Sequence, residues 1–195
     1  MAARPKILVF AGSTRKDSFN RKLAARAARL IDEAGAQATL IELSDYPMPL
    51  YNGDLEEAEG LPEAAKRLKA LFAAHDGLFI ACPEYNSSIT PLLKNTIDWL
   101  TRKESPDEPA MVAFRGKVAA LGAASDGRLG GLRVLVVMRM LLTTIQVHII
   151  PQQVAVHGAG KGFAEDGSLE DKTLAGMLDR TVLALVETTR KMSGS

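Results

Sequence analysis

Cysteine occurs once in this sequence, at position 82, so no intrachain disulfide framework can form and a reducing compartment fits. Aromatic residues are scarce at 5%, while apolar residues reach 47%. The core must be mainly aliphatic, which favours helices packed on a Val/Ile/Leu/Ala sheet over an aromatic-rich sandwich. Net charge is only +1 and no Lys/Arg run occurs, leaving no field for gathering nucleic acid or an anionic membrane. The apolar stretch 132–150 is interrupted by Arg133, Arg139, Gln146 and His148 and reads poorly as a membrane span. Residues 1–5 lead into an apolar strand and lack a signal-peptide layout. The expectation is a cytoplasmic protein that binds neither nucleic acid nor membrane.

Several chemistries are missing as motifs. No GxxxxGK[ST] is present for a nucleoside triphosphate, and no GxGxxG for a dinucleotide pyrophosphate. Ser13 lacks the GxSxG elbow of a hydrolase. His75, His148 and His157 lie far apart in no metal-ligand spacing, so no metal is expected.

What is present is alternation. Aliphatic runs at 6–11 (KILVFA), 37–43, 77–82, 117–122 and 152–156 read as strands. Helical patterns lie between them, at 18–34, 61–74, 91–99, 132–144 and 169–191. In the first helix Leu23, Ala27, Leu30, Ile31 and Ala34 share a face, while Arg21, Lys22, Arg26 and Arg29 point elsewhere. Five strands separated by helices predict a single α/β domain over 1–195, a three-layer, doubly wound parallel sheet with right-handed crossovers. The common order for five strands is the flavodoxin-like 2-1-3-4-5, which binds ligands beyond the carboxyl ends of the strands. The stretches 44–60 and 103–116 are the least regular, and the acidic run 54–59 reads as a solvated face.

The loop after the first strand, Gly12-Ser13-Thr14-Arg15 running to Ser18-Phe19-Asn20, brings hydroxyls and backbone N–H groups to a helix start. Arg15 can add a charge-assisted fork there, and the ensemble suits a phosphate. The same residues also describe a helix capped by Ser18 and an ordinary turn; the position after the first strand favours phosphate. After the third strand comes Pro83-Glu84-Tyr85-Asn86-Ser87, long for such a connection. It can wall a flat heteroaromatic ring, or simply be a proline-stiffened link whose Tyr85 packs on its neighbours.

Together these segments, with Lys94-Asn95 and Asp98-Trp99, resemble the NADPH-dependent FMN reductase family, and within it the chromate/quinone reductases and azoreductases. The resemblance runs from the first strand to about the fifth. It implies bound FMN, NADPH or NADH as reductant, and quinones or related acceptors such as azo compounds, chromate or free flavin. By position, it implies that Ser13, Arg15, Ser18, Phe19 and Asn20 hold the FMN phosphate. Pro83, Glu84, Tyr85, Asn86 and Ser87 would line the ring and ribityl chain, and Ser125 and Gly127 would supply a third loop. No catalytic side chain is implied, because the flavin carries the hydride, and ping-pong kinetics follow. Cys82 stands where a hydroxyl residue is frequent and reads as buried filler. Arg15, Arg115 and Arg128 are all conceivable contacts for a 2′-phosphate. The rival reading is a flavodoxin-type electron carrier, against which the near-neutral charge argues.

The helix at 132–144 has little polar face. Its outward side is expected to be buried in a homodimer or homotetramer, with Arg133 and Arg139 meeting acidic partners there; cover by the C-terminal helix is the alternative.

Overall fold

The computed structural model describes residues 4–194. Strands β1 (Lys6–Ala11), β2 (Gln37–Ile41), β3 (Gly77–Ala81), β4 (Val118–Ala124) and β5 (His148–Val156) form one all-parallel sheet in the order β2-β1-β3-β4-β5. Successive side chains of a strand face opposite sides, and both sides here are apolar. Ile7, Val9 and Phe79 pack under helices α1 (Phe19–Glu33) and α6 (Lys172–Ser193), through Leu23, Ile31, Leu178 and Leu185. Leu8, Phe10 and Ile80 pack on the other side under α3 (Glu63–Ala73), α4 (Pro91–Leu100) and α5 (Leu132–Thr144). The expected three layers and strand order are therefore present.

The differences from expectation have local causes. β5 starts four residues earlier than position 152, because an edge strand needs no continuous apolar run: Pro151, Gln152 and Gln153 sit within it. The pairing with β4 slips between Ala119 and Leu121 to accommodate them, and Arg139 donates to the Pro151 carbonyl (3.0 Å) and to Gln153 Oε1 (2.8 Å). The acidic run is not merely a solvated face. It forms the helix α2 (Gly53–Glu59), capped by Asn52, and Glu56 accepts from the Tyr51 hydroxyl and from Arg102. The preceding segment is fastened to α4, where Asn95 and Trp99 both donate to the Pro49 carbonyl.

The final helix begins at Lys172 rather than 169. Leu169 instead bridges Phe163 in a small hairpin, and Asp171 caps α6 through the N–H groups of Thr173 and Leu174. α6 packs on β3, β4, β5 and α1, so it does not cover α5. Leu132, Val136 and Met140, spaced one turn apart, are left exposed along the outer side of α5. Among the described residues no helix is long and apolar enough to cross a membrane.

Candidate functional site

Three loops leave the carboxyl ends of β1, β3 and β4 and meet at one place. Gly12 joins the first two: its N–H bonds the Ala81 carbonyl (2.9 Å), and its own carbonyl accepts from Thr90 Oγ1 (2.8 Å), the N-cap of α4. A Cβ at Gly12 would meet Leu93 at 3.0 Å and Pro83 at 3.2 Å, so the close approach requires glycine. Ser18 is buried and caps α1, its hydroxyl accepting from the Arg21 N–H. The main-chain N–H groups of Phe19 and Asn20, in the first turn of α1, have no helical acceptor. With the Ser13 hydroxyl and the Arg15 guanidinium they form a donor set around the positive end of α1. Arg15 lies over the Phe19 ring, 5.2 Å from its centroid. Arg21, paired with Glu42 at 2.9 Å, reaches back to the carbonyls of Arg15 and Lys16 and holds the loop in shape.

The Asn20 amide does something the sequence did not reveal. Its Nδ2 donates to the Ala124 carbonyl (2.9 Å) and its Oδ1 accepts the Ala124 N–H (3.0 Å). Both residues are buried. The side chain therefore fastens the start of α1 to the end of β4, and only the Asn20 main chain faces outward as a donor.

In the second loop, Tyr85 and Ser88 exchange two backbone hydrogen bonds of 3.0 Å around Asn86 and Ser87, whose φ values of +50° and +66° make a primed-type turn. That turn lifts Tyr85 into solvent at 57% exposure. Glu84 points the other way. It accepts from Arg133 Nε (2.8 Å) and from the Val134 N–H (3.2 Å) at the start of α5. Arg133 and Arg139 are thus both satisfied within the chain, which corrects the expectation that they await acidic groups from another copy.

In the third loop, the Ser125 N–H bonds the Val156 carbonyl and its hydroxyl accepts the Gly127 N–H (3.2 Å), while Asp126 accepts from the Gly160 N–H. The pair Gly130-Gly131, which sequence reading passed over, turns this loop into α5 with φ of +60° and +86°. A Cβ on Gly130 would stand 2.7 Å from the His157 nitrogen, and one on Gly131 2.7 Å from the Ala123 Cβ. A Gly-Gly pair between a strand and a helix was the available signal.

Two adjoining pockets result, of about 140 and 380 Å³. The first gathers nine of the twelve expected site residues: Ser13, Arg15, Ser18, Phe19 and Asn20 from the first loop, Pro83, Glu84 and Tyr85 from the second, and Ser125. It adds Ala124 and Asp126, and the neighbouring pocket adds Thr90, Pro91 and Leu92 beside Tyr85. Asn86, Ser87 and Gly127 line neither. Arg115 lies at the opposite, amino end of the sheet, beside His75 and Lys117. Cys82 is fully buried, and burial pushes its thiol far up, so it offers no thiolate. The site is an anion cradle beside an aromatic and proline-walled cleft, with no nucleophile–base pair.

Residues 5–161 match the family model for NADPH-dependent FMN reductase. An NAD(P)H-dependent FMN reductase of Pseudomonas aeruginosa is 35% identical over 191 residues, 97% of each chain. A quinone reductase of Pseudomonas putida is 34% identical over 168 residues, 86% of each chain. Among solved structures, a flavoenzyme NAD(P)H:(acceptor) oxidoreductase from Paracoccus denitrificans superposes with a TM-score of 0.80 at 30% identity, covering 96% of this chain and 98% of its own.

Proposed function

Because the chain belongs to the NADPH-dependent FMN reductase family, we propose that it oxidises NAD(P)H through bound FMN and passes two electrons to quinones or related acceptors. Azo compounds, chromate and free flavin are the related acceptors of this reading. The observation that carries it is the meeting of the three loops around the free donors of α1. A phosphomonoester dianion fits a set made of N–H groups, hydroxyls and one guanidinium, with the two carboxylates that line the pocket turned away, Asp126 onto Gly160 and Glu84 onto Arg133 and Val134.

Bound FMN would supply the two-electron chemistry between NAD(P)H and acceptor, so no protein nucleophile is required. The chain's own residues position and shield. Ser13, Arg15 and Ser18, with the main chain of Phe19 and Asn20, hold the phosphate. Pro83, Glu84, Tyr85, Asn86 and Ser87 line the ring and ribityl chain, mainly through the backbone, because the Glu84 carboxylate is committed to Arg133 and Val134. Ser125 and Gly127 close the third side. The exposed Tyr85 leaves an open face where reductant and acceptor take turns, which gives ping-pong kinetics and loose choice of acceptor.

The rest of the reading is a single FMN-binding domain over 1–195, working in the cytoplasm as a homodimer or homotetramer. The unpartnered row Leu132, Val136 and Met140 supports the assembly. The deciding experiment is a flavin spectrum of the purified protein, followed by steady-state oxidation of NADH and NADPH with a soluble quinone. Parallel double-reciprocal lines are expected. Protein that takes up FMN but oxidises neither nucleotide would overturn the reading in favour of an electron carrier.

A further inference from the structure

Helix α5 starts without a cap of its own. Its N-cap position is Gly131, at φ +86°, and its first turn holds no acidic residue. Glycine is required there, because a Cβ would stand 2.7 Å from the Ala123 Cβ. A Ser, Thr, Asp or Asn at that position would ordinarily accept the N–H of the second or third helical residue. Here the acceptor comes from a different loop. Glu84 Oε2 takes the N–H of Val134, the third residue of α5, at 3.2 Å. Glu84 Oε1 takes both Nε (2.8 Å) and Nη2 (2.5 Å) of Arg133.

The carboxylate is withdrawn from water, its side chain 9% exposed against 57% for that of Arg133. Glu84 also lines the cradle, where a free negative charge would oppose a phosphate. The Arg133 charge and the positive end of α5 offset it and fix its direction.

No other side chain fastens this loop on the α5 side. Among the described residues, the only other side chain of 83–90 that makes a hydrogen bond is Thr90, which caps α4 and reaches the Gly12 carbonyl of the first loop. Between these two anchors lies the turn of Tyr85 to Ser88, exposed throughout, with Asn86 and Ser87 held at positive φ. We infer that Glu84 is the positioning residue of this turn. By capping α5 it sets where the main chain of Tyr85, Asn86 and Ser87 stands relative to the third loop. The inference rests on the reductase reading, in which that main chain lines the flavin ring, and deepens it. Phosphate and ring are then served by separate devices, Arg15 for one and Glu84 for the other.

The test titrates flavin-free protein with FMN and with riboflavin, which carries the ring and ribityl chain but no phosphate. Glu84→Ala is expected to weaken both by the same factor, about tenfold. Arg15→Gln is expected to weaken FMN alone. Glu84→Gln keeps an oxygen that can accept the Val134 N–H, so its affinities are expected to fall between those of Glu84→Ala and wild type. It carries the same comparison should the alanine variant not fold. At saturating FMN, the visible circular dichroism of the flavin reports the surroundings of its ring. That spectrum is expected to change in Glu84→Ala and to match wild type in Arg15→Gln, a contrast that lost stability alone does not produce. Riboflavin affinity and dichroism equal to wild type in both Glu84 variants would overturn the inference. So would tighter FMN with riboflavin unmoved, the pattern of a charge that merely opposes the phosphate. Wild type that binds both flavins yet oxidises neither NADH nor NADPH would overturn the reductase reading, and the riboflavin comparison would still decide the role of Glu84.

Discussion

Replacing Asn20 with alanine tests whether its amide holds the architecture or the ligand. In the structure the amide satisfies both main-chain polar groups of Ala124, deep between α1 and β4. Its removal strands one buried N–H and one buried carbonyl, each costing about 1–3 kcal/mol. Alanine's better helix propensity returns about 0.5 kcal/mol at most, so a net loss of roughly 2–5 kcal/mol is expected. For a chain of this length that lowers Tm by about 5–15 °C. The assay is urea or thermal unfolding of the flavin-free protein, with and without added FMN. An amide that served only as a phosphate ligand would behave differently: FMN affinity would fall by about ten- to a hundredfold, and flavin-free stability would not move. Flavin-free Asn20→Ala melting with wild type would therefore refute the clamp. Asn20→Asp adds a control. Its carboxylate can still accept the Ala124 N–H but meets the Ala124 carbonyl with no proton to offer, so partial destabilisation is expected there too.

Other perturbations read other parts. Gly130→Ala forces a Cβ to within 2.7 Å of the β5 backbone at φ +60°, and about 2–5 kcal/mol of destabilisation is expected from the conformation and the clash; Gly127→Ala, whose Cβ meets only Ser125 Oγ at 3.5 Å, should stay within about 1 kcal/mol of wild type, and equal melting points would refute the wedge. Arg15→Gln should lower FMN retention on dialysis by about tenfold or more with little effect on turnover at saturating FMN; slowed turnover with retention intact would contradict its place on the phosphate. Met140→Lys together with Val136→Glu should shift sedimentation towards the monomer, and an unchanged sedimentation coefficient would clear α5 of the assembly. His75 is kept below its ordinary pKa, chiefly by burial, and then by the charge of Lys117. A depressed pKa adds stability above about pH 6.5 that is lost as pH falls through the folded value, so the urea midpoint should drop from pH 7 to pH 5, less steeply in His75→Asn.

The parts of the fold legible in the sequence were those where burial left no choice. β1, β3 and β4 are covered on both faces, so each had to be a continuous aliphatic run, and each was visible as one. β5 was half-hidden because an edge strand answers to a different constraint. Pro151, Gln152 and Gln153 break the apolar run, and what keeps them in the sheet is the Arg139 side chain from α5, a contact between distant positions with no periodicity to announce it. The helix α2 was hidden for the opposite reason. It buries no residue, so no amphipathic stripe marks it, and only the cap at Asn52 and the stop at Gly60 were there to read.

The candidate site divides along the same line. Donors supplied by neighbours in sequence, a hydroxyl, a guanidinium and the first N–H groups of a helix, could be read from the loop after β1 because a helix start fixes their geometry locally. Asn20 could not, because whether an amide faces a ligand or a strand depends on what the fold brings to it from position 124. Lys22 and Arg26 point away from the core face, as the periodicity predicts, but what else meets that side of the helix could not be read. Helical periodicity marks them as outward, and outward ordinarily means solvated, yet a hairpin nearly 140 residues further on returns to that face and makes it a pocket wall. A cation on the polar side of a helix is free only if nothing folds over it. Here the covering segment is the one that begins at the Asp126–Gly160 bond, so the same stretch of chain that borders the anion cradle shapes the charged pocket beside it. Phe163→Ala, which removes the hairpin's packing on the core, should therefore be felt at the cradle as weaker FMN retention on dialysis, and retention equal to wild type would show that the two stretches stand independently.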